Sequence, residues 1–247
     1  MINDHKICFI TCVNDEDTYE KCLDFLKRLI VPPNIAVEYK AVRGALSMCA
    51  GYNTAMTESD ARYKVYLHQD TYIIYPYFIR RLLKLFEERT IGLTGVVGTT
   101  TLPNSCVWWE SEYKYKYGRV IESSSGFFVE NKFHIPTRIS LHVHSKHYEE
   151  VAAIDGLLIA TQYDVPWRMD IFNGWHFYDI SQCMEFRRAG YMTVVPAQIC
   201  SQVVHDCGIV NNTDYFKYRD IFKAEYAAEI LKIQLATSAN SKIKACD

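Results

Sequence analysis

Long apolar runs are missing from this chain, and no stretch approaches the ~20 residues that a membrane-spanning helix needs. The opening MINDHKICFITCVND carries an acidic residue early and only a few consecutive apolar residues, so it reads as a first strand and not as a signal peptide. An excess of one charge is also missing. The net charge is −2, which argues against nucleic acid or an anionic membrane as the main partner. Cysteines in paired CxxC spacing are lacking: the nine present are scattered and odd in number. Cys8, Cys12 and Cys49 sit among apolar neighbours, where a thiol serves as a small hydrophobe, and free thiols of this kind point to a reducing cytoplasm. Neither GxGxxG nor GxxxxGK followed by Ser or Thr occurs, which counts against a dinucleotide oxidoreductase and a P-loop kinase. Internal repeats and low-complexity blocks are absent as well.

What is present is a chain of 247 residues, enough for one large domain or two small ones, with 49% hydrophobic residues to fill a core. Aromatic content is 14%, including 18 Tyr, which suits an aromatic-lined cleft as well as ordinary half-buried positions. The first hundred residues alternate strand and helix signals. ICFITCV (7–13) is a buried strand. Cys22, Leu23, Leu26, Leu29 and Ile30 recur at helical spacing until Pro32 and Pro33 stop them. IAVEYKAV (35–42) is a strand, SMCAGYNTAMTES (47–59) a helix, YKVYLHQ (63–69) a strand, YFIRRLLKLFEE (77–88) a helix and IGLTGVVG (91–98) a strand. Such alternation predicts an α/β fold with a mostly parallel central sheet flanked by helices. Residues 99–148 carry short β-like runs between polar loops and are expected to form a small irregular β insertion on the cleft side. EVAAIDGLLIATQ (150–162) reads as one core strand interrupted by Asp155 and Gly156, FYDISQCMEFRRAGY (177–191) as a helix, and TVVP and ICSQVVH as late strands. DYFKYRDIFKAEYAAEILKIQL closes as one amphipathic helix. A single domain over 1–230 with a frayed tail over 231–247 is expected.

Three strands end in, or break at, polar groups of a ligating or catalytic kind. KVYLHQDTYI stops an apolar run at His68, Gln69 and Asp70; the second strand breaks at Asp155; the third ends VVHDCG, with His205 and Asp206. In open α/β sheets ligands sit outside the carboxyl ends of strands, and an Asp and a His converging there can hold Mg²⁺ or Mn²⁺. The bland alternatives are a turn-starting Asp70 and a partly buried core His68. Asp155 in mid-strand would be costly if buried unpaired, so it is expected to face the cleft and bind polar groups of a substrate, with Gly156 permitting close backbone approach. Trp108 and Trp109 cannot both face one core in a strand, so one is expected at a cleft rim. Trp175, beside His176, can stack on a substrate face, although a lone Trp is more often core. LHVHSKHYEE offers His142, His144 and His147 as a competing zinc constellation for a metal-dependent hydrolase, against an exposed polar loop.

The order of several segments resembles the GT-A glycosyltransferases related to the large family 2 of inverting transferases, including a bacterial subgroup with LHQD and GWHFYD segments. ITCVND resembles the first strand and nucleotide-contacting loop, and GALSMCAGYNTAMTESDARYKVYLHQDTYI the helix and strand leading to the Asp-x-Asp element. IDGLLIAT resembles the acceptor-side strand, NGWHFYDISQCMEFRRAGYMTVVP the segment with the catalytic acid, and VVHDCG the late His of metal-dependent members. The likeness covers about residues 6–226 and implies transfer of a sugar, with inversion, from a nucleotide-diphosphate donor (UDP being commonest) to an acceptor hydroxyl on a glycan, lipid-linked or protein acceptor. It implies Mn²⁺ or Mg²⁺ held by Asp70 and His205, and Asp179 as base, ionised at a helix N-terminus. The null role for Asp179 is an N-cap. Asn14, Arg43 and Asn53 are the expected nucleotide contacts, each equally open to turn chemistry or solvation. One departure from the pattern stands out: His68-Gln69-Asp70 replaces Asp-x-Asp, so the first acid's role falls on a histidine at the donor site and the cation is expected to bind weakly without nucleotide. A cytoplasmic location follows, with a peripheral position at the inner membrane face as an option. A catalytically inactive sugar-nucleotide binder is the other alternative.

Overall fold

The computed structural model describes residues 1–123, 127–136, 147–208 and 212–243. In chain order the elements are β1 (Asn3–Val13), α1 (Glu16–Lys27), β2 (Ala36–Arg43), α2 (Met48–Glu58), β3 (Ala61–Leu67), β4 (Thr71–Ile73) and α3 (Phe78–Leu85). There follow β5 (Ile91–Gly95), β6 (Val97–Thr99), β7 (Lys116–Glu122), β8 (Val129–Lys132), β9 (Tyr148–Glu150), β10 (Ala153–Ile154) and β11 (Leu158–Thr161). The chain closes with α4 (Tyr178–Arg188), β12 (Met192–Pro196), β13 (Val203–His205), α5 (Tyr215–Glu225) and α6 (Ala227–Ile243). The strand and helix alternation of the first hundred residues is present as predicted. Asp15 caps α1 by accepting from the Thr18 amide at 2.8 Å, and Ser47 caps α2 by accepting from the Ala50 amide.

The main sheet has seven strands in the order β2-β1-β3-β11-β5-β12-β9. It is mostly parallel as expected, with β2, β1, β3, β5 and β12 running one way, but mixed and not purely parallel. β1 pairs parallel with β2 and β3, and β5 with β12, whereas β11 runs antiparallel to both β3 and β5, and β9 antiparallel to β12. The cause lies in 150–162, which is not one strand. The chain leaves β10, turns at Asp155–Leu157 and inserts β11 into the main sheet in the opposite sense. The whole of β11 is buried, so its apolar run suits a central strand of either direction.

The second sheet has the path β10-β6-β7-β13-β4, with β8 on the edge of β7. The described part of 99–148 therefore builds this sheet, since β7 lies between β6 and β13. Trp108 and Trp109 sit in a short 3₁₀ turn, and Trp108 is 6% exposed while Trp109 is 46% exposed. At the C-terminus the expected single helix breaks at Tyr226 into α5 and α6. α6 runs through the segment expected as a frayed tail, where the Gln234 amide donates to the Leu102 carbonyl at 3.1 Å.

These two sheets explain the interrupted apolar run KVYLHQDTYI. β3 belongs to the main sheet and β4 to the second, and His68, Gln69 and Asp70 form the crossing between them. Backbone bonds hold that crossing: His68 N donates to Leu157 O and Thr71 N to His68 O. No helix among the described residues is long and apolar enough to cross a membrane, and the eight cysteines among them are unpaired.

Candidate functional site

β13 pairs antiparallel with β4 in the register His205↔Thr71, Val204↔Tyr72 and Val203↔Ile73. Asp206 N donates to Asp70 O at 2.8 Å. That register places His205 next to the crossing, although it lies 137 residues beyond His68 in the chain. Three side chains meet there. His68 Nδ1 stands 3.5 Å from His205 Nε2 and 3.9 Å from Asp70 Oδ1, and His205 Nε2 stands 3.5 Å from Asp70 Oδ1. The three residues open into a cleft of about 460 Å³ that Asn14, Gly44 and Trp175 also line.

The residues fit a divalent cation. Asp70 Oδ1 is buried and makes no hydrogen bond, and so is His205 Nδ1. A point equidistant from the three facing atoms lies roughly 2.1 Å from each, within the range of first-row metal bonds to nitrogen and carboxylate oxygen. Each ring also has a neighbour for its other nitrogen. His68 Nε2 lies 2.5 Å from the Tyr178 hydroxyl, and His205 Nδ1 lies 3.9 Å from Glu122 Oε1. A proton on the outward nitrogen of His68 leaves a lone pair on its inward one, as a metal-binding imidazole requires. Burial lowers the His68 pKa to about 4, so this ring is neutral at pH 7. Burial works against charge on His205 as well, but contact with Asp70 outweighs it and holds the ring's pKa well above the ordinary value. Burial likewise opposes the Asp70 carboxylate, and its contacts with the two histidines bring its pKa below the ordinary value.

Asp179 lies in the first turn of α4, next to Tyr178. It is not the N-cap: Phe177 holds that position in the left-handed region, at φ 61°. The expectation that the helix end keeps Asp179 ionised needs correction. Burial, and then the neighbouring Asp155 carboxylate, raise its pKa to about 7, against smaller opposing contributions from backbone amides. Asp155 follows β10, accepts from Leu157 N at 2.9 Å and also has its pKa raised by burial. Gly156 follows at the point of closest approach. A Cβ there would fall 2.2 Å from the Tyr178 hydroxyl and 3.1 Å from Asp179 Cβ. Gly156→Ala should therefore displace Tyr178 and Asp179 and cut turnover by about 100-fold, the typical cost of misplacing reacting groups by an ångström. Steady-state kinetics alongside a thermal melt checks this, and unchanged turnover would refute the close-packing role.

The remaining expected contacts divide. Asn14 lines the cleft and is stitched to Gln69: Gln69 Oε1 accepts from the amides of Asn14 and Asp15 at 2.9 and 3.1 Å, and Gln69 Nε2 donates to Asn14 Oδ1. Arg43 stands beside the cleft-lining Gly44, but its guanidinium is engaged by both oxygens of Glu16, at 2.6 and 2.8 Å. Asn53 is drawn away from the donor role. Its side chain donates to Trp167 O and accepts from Trp167 N, at 2.8 and 2.9 Å, which locks α2 to the segment before α4. Trp175 is 48% exposed on the cleft wall. His176 turns toward Thr213 O at 3.1 Å and packs on Tyr215, against whose ring Trp109 also lies, so neither His176 nor Trp109 lines the cleft. Of the competing histidines, His142 and His144 lie outside the described residues; the carbonyl of His147 accepts from Ala197 N. Sequence reasoning missed Tyr178, Gln69 and Glu122. Tyr178 adjoins Asp179, but nothing in the pattern says that its hydroxyl reaches His68.

No curated protein sequence matches the chain. Among solved structures, it is similar to S. aureus TarS residues 1–349 in complex with UDP, at 9% identity and TM-score 0.46, covering 85% of this chain and 62% of that one. It is also similar to the Pyrobaculum calidifontis mannosyltransferase PcManGT in complex with GDP-Man and Mn²⁺, at 11% identity and TM-score 0.49, covering 81% and 56%. The chain thus spans about three fifths of the length of these solved chains. The model of the glycosyltransferase-like family matches residues 8–226, nearly the whole sequence. By that match, the chain belongs to the glycosyltransferase-like family.

Proposed function

We propose that the protein transfers a sugar, with inversion, from a nucleotide-diphosphate donor to an acceptor hydroxyl. The observation that carries this reading is the convergence of Asp70, His205 and His68 on one cleft, with a carboxylate of raised pKa, Asp179, beside the tyrosine that touches His68. Asp70 and His205, joined by His68, would hold a divalent cation, Mn²⁺ or Mg²⁺. Such an ion supplies Lewis-acid stabilisation of the charge that gathers on a departing diphosphate. Asp179 accepts the proton of the attacking hydroxyl; a pKa near 7 matches a base that must be ionised and still take up a proton. Asp155 binds sugar hydroxyls and raises the proton affinity of Asp179, and Gly156 lets both carboxylates approach the Tyr178 side. Asn14, locked by Gln69, and the exposed face of Trp175 are the contacts for the nucleotide and sugar. UDP is the proposed nucleotide, on the strength of the resemblance, and a glycan, lipid-linked or protein hydroxyl the acceptor. The unpaired cysteines favour a reducing, cytoplasmic setting.

A thermal-shift panel of UDP-, GDP- and other nucleotide sugars, with and without Mn²⁺, tests the donor assignment. A ligand at 100 times its Kd stabilises the fold by about 2.7 kcal/mol, or roughly 5–10 °C for a domain of this size. We expect a shift of that order for one nucleotide class, dependent on Mn²⁺. No response to any nucleotide sugar would end the transferase reading.

A further inference from the structure

An Asp-x-Asp element offers a cation two carboxylates; this crossing offers one carboxylate and one imidazole, and β13 adds a second imidazole, that of His205. We propose that His68 is a full ligand, so that His68 Nδ1, Asp70 Oδ1 and His205 Nε2 form a three-point cage that binds a transition-metal ion in preference to Mg²⁺ and does so before any nucleotide arrives. The inference rests on the cation-dependent reading above and deepens it. Three observations support it. The facing atoms are mutually 3.5–3.9 Å apart, so all three reach one ion without rearrangement. Each is on a backbone segment fixed by pairing: His205 in β13 against β4, and His68 and Asp70 through bonds to Leu157 and Asp206. The outward nitrogen of His68 meets the Tyr178 hydroxyl at 2.5 Å, which sets the tautomer and ring angle a metal needs, and the outward nitrogen of His205 is buried 3.9 Å from Glu122 Oε1.

The ion class follows from donor chemistry. Mg²⁺ prefers oxygen and keeps several waters, so two imidazoles are poor partners for it. Imidazole suits Fe, Co, Ni, Cu and Zn, and Mn²⁺ stands lowest in affinity among the first-row divalent ions. Three protein ligands leave open positions, and those can accept the phosphate oxygens of a donor. The cage is thus complete enough to be loaded alone and open enough to be used. That reverses the expectation that replacing the first acid by His68 weakens the metal.

Calorimetric titration of the chelator-stripped, nucleotide-free chain with Co²⁺, Mn²⁺ and Mg²⁺ separately, with the visible absorption of Co²⁺ as a second readout, tests it. We expect Co²⁺ to bind at one site, at least about 100-fold more tightly than Mg²⁺, with Mn²⁺ between them. His68→Ala should weaken Co²⁺ by at least about tenfold and alter its spectrum, while Tyr178→Phe should weaken it by about tenfold through the lost orienting bond. His68→Asp restores an acid and should move preference back toward Mg²⁺, a gain that damage to the fold cannot mimic. Equal affinity for Co²⁺ and Mg²⁺, no binding without nucleotide, or an unchanged Co²⁺ spectrum in His68→Ala would each overturn the proposal. The Mn²⁺-dependent nucleotide-sugar shift of the parent chain is read separately, so the cage can fail while the transferase reading stands.

Discussion

Asp179→Asn should lower turnover by about 10²- to 10⁴-fold, the usual contribution of a positioned general base, and leave nucleotide affinity unchanged. The amide keeps the shape of the carboxyl group but cannot take the acceptor proton. The pH profile of the parent enzyme gives a second readout. With the pKa of Asp179 near 7, activity should climb through neutral pH, whereas a carboxylate at its ordinary 3.8 would give a flat line there. Asp155→Asn removes the neighbouring charge and should move that acid limb to lower pH. Stability carries the opposite sign. The folded-state pKa lies above the unfolded one, so the protonated group favours folding below about pH 4, and that contribution is lost as pH rises through about 7. Asp179→Asn should then melt higher than the parent at pH 8, by about 2–4 °C for each kcal/mol recovered. Kinetics with Mn²⁺ present, and melts with chelator in its place, over pH 5–9 check both signs. If Asp179→Asn keeps full transfer activity, the base lies elsewhere.

Asp164→Ala should destabilise the fold by about 3–5 kcal/mol, as expected when a buried charge loses its counter-charge. Its partner, Lys64 in β3, is 1% exposed and directs its ammonium to Asp164 Oδ1 and Oδ2 at 2.7 and 3.0 Å and to Ala61 O at 2.7 Å. Without the carboxylate the ammonium stays inside with one carbonyl acceptor. Lys64→Met combined with Asp164→Ser removes both charges and should recover most of the loss, since the buried ammonium is replaced by an apolar side chain and position 164 is exposed. Urea titration of the two variants measures this. A single-variant loss under about 1 kcal/mol would mean that solvent reaches the ammonium freely. Lys64 shares the strand that leads to His68, so the same pair anchors the base of the crossing.

Lys64 also marks where sequence reasoning runs out. In YKVYLHQ it alternates with Val65 and Leu67 and reads as the solvent-facing residue of a strand. β11 pairs edge to edge with β3, with Thr161 opposite Lys64, and the segment that follows β11 brings Asp164 to the ammonium. Nothing near Lys64 in the chain announces this, because Asp164 is 100 residues away and follows a strand that lies beyond a turn read as the middle of one strand. Asn53 misleads in a related way. A polar residue in a helix near the cleft suits a ligand contact, but the backbone of Trp167 takes both its donor and its acceptor.

The sequence by itself determined the local elements and the chemical cast: apolar periodicity placed the strands and helices of the first hundred residues, and polar groups at the ends of apolar runs singled out Asp70, His205 and Asp155. The tertiary structure decided which of them meet. The β4–β13 register brought His205 to Asp70, the crossing between two sheets turned His68 inward beside them, and the reversal at Gly156 set Asp155 against Asp179. These are long-range pairings, fixed by the burial of whole strands and by hydrogen-bond register, and the neighbours of a residue in the chain carry no record of them.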